Sequence, residues 1–119
     1  MPLGKYMLVI DGVTTTASTS PQYSATANVQ NFKSVLVYVK EDNVNAIKFT
    51  VEARASDHAK AKWETVVTEQ SVAKDGSAII TATDAADLEG AWFEIRIKYY
   101  DSVDGTHGKV YAWINRRRH

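Results

Sequence analysis

Polar and apolar side chains alternate along most of this chain with a period of two, the pattern of strands that bury one face and solvate the other. The clearest run is Ile47–Ala55. There Ile47, Phe49, Val51, Ala53 and Ala55 fall on one side, and Lys48, Thr50, Glu52 and Arg54 on the other. Ala91–Tyr100 repeats the scheme, with Phe93, Ile95 and Ile97 inward and Glu94, Arg96 and Lys98 outward. Lys33–Lys40 sets Val35, Val37 and Val39 on one face but Leu36 and Tyr38 on the other, so this strand is expected to be covered on both sides. Trp63–Gln70, Ser77–Thr83 and Lys109–Asn115 read as further strands, and the adjacent Val66 and Val67 predict a bulge.

Turn chemistry separates these runs. Glu41–Asn45 divides two strands, and Asp-Gly pairs stand at Asp11-Gly12, Asp75-Gly76 and Asp104-Gly105, where tight turns tolerate positive φ. Helix is scarce: Ser56–Lys62 and Thr83–Leu88 have room for one turn each and lack a sustained 3.6-residue period. Strands at such spacing predict an all-β fold, an antiparallel β-sandwich or jelly-roll-like barrel of about seven to nine strands. Residues 1–119 are expected to form one domain, with 1–31 a candidate edge-strand arm.

The N-terminal part differs from the rest. Val13–Phe32 holds no charged residue and is rich in Thr and Ser, with Pro21 interrupting it. The plainer reading is two edge strands around a loop at Ser20-Pro21. The sharper one is an arm that pairs with a neighbouring subunit, because an uncharged edge lacks the usual defence against strand addition.

Composition narrows the function classes. The 119 residues carry 14 Lys plus Arg against 14 Asp plus Glu, so net charge is zero. That balance argues against a nucleic-acid partner, which normally calls for a basic excess. With no cysteine, disulfides, thiolate metal sites and cysteine nucleophiles are excluded. The apolar stretch Met7–Ile10 is too short for a signal-peptide core and no run reaches membrane-spanning length, so a soluble protein is expected, kept in the cytoplasm or released by a route without a signal peptide.

No catalytic or cofactor motif stands out. The sequence has no Gly-rich phosphate loop, no His-Glu-x-x-His and no Gly-x-Ser-x-Gly. His58, His107 and His119 share no ligand spacing, which argues against zinc. Asp101 and Asp104 could offer oxygen ligands to calcium, yet the Asp101–Gly108 segment lacks EF-hand spacing and ordinary hairpin chemistry accounts for it. Glu52, Glu64, Glu69 and Glu94 alternate with Lys and Arg on outward faces, where cross-strand ion pairing explains them more simply than a glycosidase pair. The expectation is a protein that is not an enzyme and has no cofactor or metal.

The aromatic residues carry the interaction candidates. Tyr111 and Trp113 share one face of the last strand with Asn115, while Val110, Ala112 and Ile114 share the other. Trp92 and Tyr100 fall on the polar side of their own strand, and pairing of these two strands would set several rings on an outer surface. Trp and Tyr suit protein interfaces and also stack on sugars. The alternative is that Trp113 belongs to the core. Tyr23, Trp92, Tyr100, Tyr111, Trp113, Arg116 and Arg117 are therefore the candidate interface residues, the two arginines coming from the basic stretch Arg116–His119.

Phe32–Val39, Val51–Asp57, Trp63–Val66, Ala91–Ile97 and Gly105–Trp113 together resemble the small β-sandwich accessory proteins of tailed-phage virions, head decoration proteins among them. The resemblance spans most of the chain but includes no segment assignable to capsid contact. It implies symmetric copies, trimers more often than dimers, fixed to a capsid or tail lattice in a virion assembled in the host cytoplasm. A carbohydrate-binding sandwich that uses exposed Trp and Tyr is the alternative.

Overall fold

The computed structural model describes residues 4–42, 45–81, 83–89, 92–102 and 107–117. The described residues form nine strands: β1 (Gly4–Thr14), β2 (Gln22–Tyr23), β3 (Ala27–Asn28), β4 (Ser34–Asp42), β5 (Ile47–Arg54), β6 (Glu64–Val72), β7 (Ser77–Ile80), β8 (Glu94–Asp101) and β9 (Lys109–Arg117). A four-stranded sheet has the order β1-β9-β4-β7, and a five-stranded sheet has β2-β8-β5-β6 with β3 also paired to β8. All pairings are antiparallel. The two sheets pack face to face as a β-sandwich, as the alternation predicts. Among the described residues one 3₁₀ turn, Ala86–Glu89, tucks Leu88 into the core.

The inward positions are the ones the period-two pattern selects. Val35, Val37 and Val39 of β4, Phe49 and Val51 of β5, and Ile95 and Ile97 of β8 are buried in one continuous cluster. Val110, Ala112 and Ile114 of β9 lie beside the β4 valines and, with them, face β5 and β8 from the four-stranded sheet. Val66 and Val67 are both buried, and the β5–β6 register slips opposite them, so the expected bulge is present.

Asp11-Gly12 is not a hairpin turn, contrary to expectation. It lies inside β1, where register shifts between Leu8 and Ile10 and between Asp11 and Val13 make two irregularities against β9. Positive φ serves a bulge as well as a turn. Gly12 has φ 65°, and a Cβ there would sit 3.2 Å from the ring of Tyr111, which lies over it. At Lys74-Asp75-Gly76 the turn is real, but the positive φ falls on Asp75 (54°). Gly76 instead allows close approach, since a Cβ would lie 2.9 Å from the Ala73 carbonyl oxygen.

The uncharged N-terminal segment crosses from one sheet to the other. β1 borders the four-stranded sheet, while β2 and β3 pair with β8 of the same chain. The Ala25 amide donates to the Val9 carbonyl at 3.0 Å and ties the two sheets together.

Candidate interaction surface

Strand order turns scattered outward residues into rows. On the four-stranded sheet, Leu8 pairs with Trp113, Trp113 with Tyr38, and Tyr38 with Ile79. These four side chains therefore form one apolar row that crosses β1, β9, β4 and β7 on the outer face. Tyr6, Asn115 and Leu36 form the next row. Tyr6 is 73% exposed, Ile79 54% and Leu8 39%. Trp113 and Tyr38, both half-buried, meet edge to face at the middle of the row, with centroids 5.4 Å apart. Single exposed apolar residues are ordinary on protein surfaces, whereas a contiguous group of them marks an interaction site.

Among the described side chains, the charge on this face lies outside these two rows. Asp11, Tyr111, Lys40 and Ser77 make the row on one side of the apolar one, and Lys109 pairs with Asp42 a row further out. Arg117 and Ser34 close the opposite end. An apolar centre with a polar rim is the usual anatomy of a protein–protein interface.

The outer face of the five-stranded sheet is built differently. Glu52 lies opposite Arg96 and Arg54 opposite Glu94, and both pairs close to 2.8 Å. The Arg96 guanidinium sits 4.1 Å from the centroid of Tyr23 and 4.2 Å from that of Trp63, within cation–π reach of both rings. Lys48 pairs with Glu69 at 3.6 Å, and the Tyr100 hydroxyl donates to the same carboxylate. That hydrogen bond, more than burial, raises the Tyr100 pKa from its ordinary value. Of the four glutamates expected to form cross-strand ion pairs, Glu52, Glu69 and Glu94 do so, while Glu64 is an exposed residue at the start of β6.

The candidate interface residues are thus divided. Tyr111 and Trp113 stand on the four-stranded face; Tyr23 and Tyr100 stand on the five-stranded one. Arg117 is exposed at the end of β9. Arg116 reaches inward at the sandwich end, donating to the Asn28 carbonyl at 2.9 Å and lying 5.1 Å from the Phe32 centroid. Trp92 packs against the core and donates its indole N–H to the Asp87 carbonyl at 2.9 Å. The strands near Trp92 and Trp113, whose pairing would have set their rings on one surface, do not pair. β8 and β9 lie in opposite sheets, because β9 inserts between β1 and β4. Arg118 and His119 lie outside the described residues.

Buried polar groups gather at one end of the sandwich. Asp101 accepts from Thr15 at 3.0 Å, and His107 Nδ1 lies 3.3 Å from the same carboxylate oxygen. Glu41 is fully buried on the inward face of β4; its Oε1 accepts from the Asp75 amide at 3.1 Å, and its Oε2 has no hydrogen-bond partner. Desolvation raises its pKa from 4.5 to about 7, against the opposing pull of the Asp75 and Ile47 amides. Among the described residues no three His, Asp or Glu side chains are grouped to hold a metal ion. Asp104 and Gly105, the rest of the calcium candidate, lie outside the described residues. Among the described residues no helix is long and apolar enough to cross a membrane.

No protein-family profile matches the sequence, and no curated protein matches it. Solved structures do share the fold. The SPBc2 prophage-derived protein YomS superposes with a TM-score of 0.60 at 10% identity, over 95% of this chain and 91% of its own. The family 11 carbohydrate-binding module of Clostridium thermocellum, solved with a β-1,3-1,4-mixed-linked tetrasaccharide, gives 0.55 at 11% identity, over 96% and 83%. Chitosan-binding module 1 from a chitosanase/glucanase of Paenibacillus sp. IK-5 gives 0.53 at 17%, over 92% and 74%. At such identities the shared property is the two-sheet sandwich, which hosts unrelated functions.

Proposed function

We propose that this chain is a structural assembly protein, a virion accessory of the capsid-decoration kind, which works as a homo-oligomer and performs no catalysis. The observation that carries the reading is the unbroken row Leu8–Trp113–Tyr38–Ile79 across an entire outer sheet face. A sheet in a monomeric sandwich gains nothing from turning both faces apolar, because only one can be buried in its own core. The fold-level likeness to a prophage-derived protein over nearly the whole of both chains supports the virion setting by analogy. Balanced charge removes long-range repulsion between copies. The partners are other copies of the chain and a repeated capsid or tail protein lattice.

A carbohydrate-binding role is the second reading. Tyr23 and Trp63 stand on the five-stranded face among hydrogen-bonding groups, and two sugar-binding modules share the fold. Against it, Arg96 already covers one side of each ring, and Glu52 holds Arg96 in place. Light scattering at increasing protein concentration, run beside affinity electrophoresis in gels containing β-glucan or chitosan, separates the two. Assembly predicts a defined mass above the monomer and unchanged mobility. A concentration-independent monomer retarded by either polysaccharide would replace the first reading with the second.

A further inference from the structure

We infer that two copies stack their four-stranded sheets face to face about a two-fold axis that runs parallel to the strands, between β9 and β4. The inference rests on the assembly reading and names the partner and its orientation.

Self-complementarity comes first. A two-fold interface brings the same patch of both subunits together, so each feature must meet a suitable one after rotation. An axis along the strands keeps each row in place and exchanges its two ends. Leu8 of one copy then faces Ile79 of the other, and Trp113 faces Tyr38, so the whole apolar row is met by apolar groups.

Charge selects this axis over the other in-plane choice. With the axis along the strands, Lys40 of one copy overlies Tyr111 of the other, and Lys109 lies on the side of Asp42. An axis across the strands, centred on the same apolar row, reverses the order of rows. It would set Lys40 over Leu36 and Lys109 towards Arg117, an ammonium on an apolar group and two like charges at one rim. Aligned sheets cross at roughly 30°. That fans the outer rows apart by several ångströms, a distance a lysine side chain can follow.

Size is sufficient. Four strands at about 4.8 Å spacing and nine residues at about 3.4 Å rise project roughly 500–600 Å². Side-chain relief brings the accessible area towards the ~600–800 Å² per partner of a specific interface.

The absence of cysteine makes the test clean. Facing sheets lie about 10 Å apart, too far for a direct disulfide, so a short bis-maleimide is the suitable probe. In the inferred dimer, position 8 of one copy faces position 79 of the other. Two copies of position 79 are separated by three strand spacings, about 14 Å, in addition to the gap between sheets. The double variant Leu8→Cys/Ile79→Cys should therefore cross-link into a covalent dimer, while each single variant should not. Ile79→Glu, at an exposed position where circular dichroism should show the fold intact, should weaken dimerisation at least tenfold by sedimentation equilibrium. A wild-type protein that stays monomeric at high concentration would overturn both the assembly reading and this inference. An oligomer in which the double variant fails to cross-link, or in which Ile79→Cys alone does so, overturns the inference and leaves assembly standing through another surface or axis. An unchanged mass for Ile79→Glu does the same.

Discussion

On the five-stranded sheet, outward positions of β5 and β8 hold Glu52 opposite Arg96 and, at the strand ends, Arg54 opposite Glu94; on the four-stranded sheet, the central positions of β9 and β4 hold Trp113 and Tyr38. Both faces are antiparallel, and their inner sides are packed by the same kinds of residue. The difference lies in who satisfies the outward side chains. Arg96 finds Glu52, Tyr23 and Trp63 within its own chain, so its contacts on that face are met in a single copy. Leu8 and Ile79 find nothing polar to hide behind, and only a second surface can take them out of water. An outer face that closes its own contacts and one that leaves them open make the sandwich two-sided in its surface chemistry.

The comparison is broken most directly at Trp113. Trp113→Ala should weaken self-association by about 2–4 kcal/mol, as truncation of a central aromatic anchor does, with a smaller loss in the thermal stability of the separated subunit. Sedimentation equilibrium alongside thermal melts reads both. Equal effects on melting and association would mean that Trp113 serves the fold and not the interface.

Glu41 tests what lies between the faces. Its folded pKa of about 7 exceeds the unfolded value of 4.5, so the native state binds the extra proton between these pH values. Its contribution therefore favours folding at low pH, fades as pH rises through this window, and leaves the full penalty above 7. The penalty is at most about 3 kcal/mol. Glu41→Gln should raise stability at pH 8 by about 1–3 kcal/mol and flatten this part of the pH profile in urea titrations. A variant with the wild-type slope would assign that slope to another group.

Arg96→Met sharpens the contrast from the closed face. It removes a guanidinium shared by two rings and a carboxylate that is only partly exposed, and should cost about 1 kcal/mol of stability with no change in mass. The smallest effect is that of salt. Raising NaCl from 0.1 to 0.5 M should lower subunit stability by a few tenths of a kcal/mol through the ion pairs of one face while leaving association through the other undiminished. Dissociation by salt would mean that the charged face, not the apolar one, holds the copies together.

Alternation made the fold legible where one residue decides one side: Phe49 and Val51, or Ile95 and Ile97, point inward in the structure as they do on paper. The surfaces were legible only strand by strand. Leu36 and Tyr38 announced that β4 has an apolar back, and Tyr111 and Trp113 announced the same for β9, but neither run says that they lie side by side. Leu8 and Ile79 join them only because β9 inserts between β1 and β4, a long-range choice that no local window contains. The same insertion puts Trp92 and Trp113 in different sheets. Glu41 escaped notice because it follows Val39 in the inward register while sitting in a stretch whose Asp42, Asn43 and Asn45 read as turn. Trp63 and Arg96 are 33 residues apart in sequence, and only the folding of β6 and β8 against β5 brings ring and guanidinium together.

The pairing of Gly4 with Arg117 sets the outer ends of β1 and β9 side by side, antiparallel, at one end of the sandwich. A tether pulling the two ends apart would load the ladder one hydrogen bond at a time, beginning with the Gly4–Arg117 pair, and would open it like a zipper. A load applied to Gly4 at that end and to the far end of β9 at Lys109 would instead place the paired strands in shear and engage many bonds together. The mechanical strength of this domain thus depends on the direction of load: it yields readily between its own neighbouring ends and resists force drawn along the strand axis.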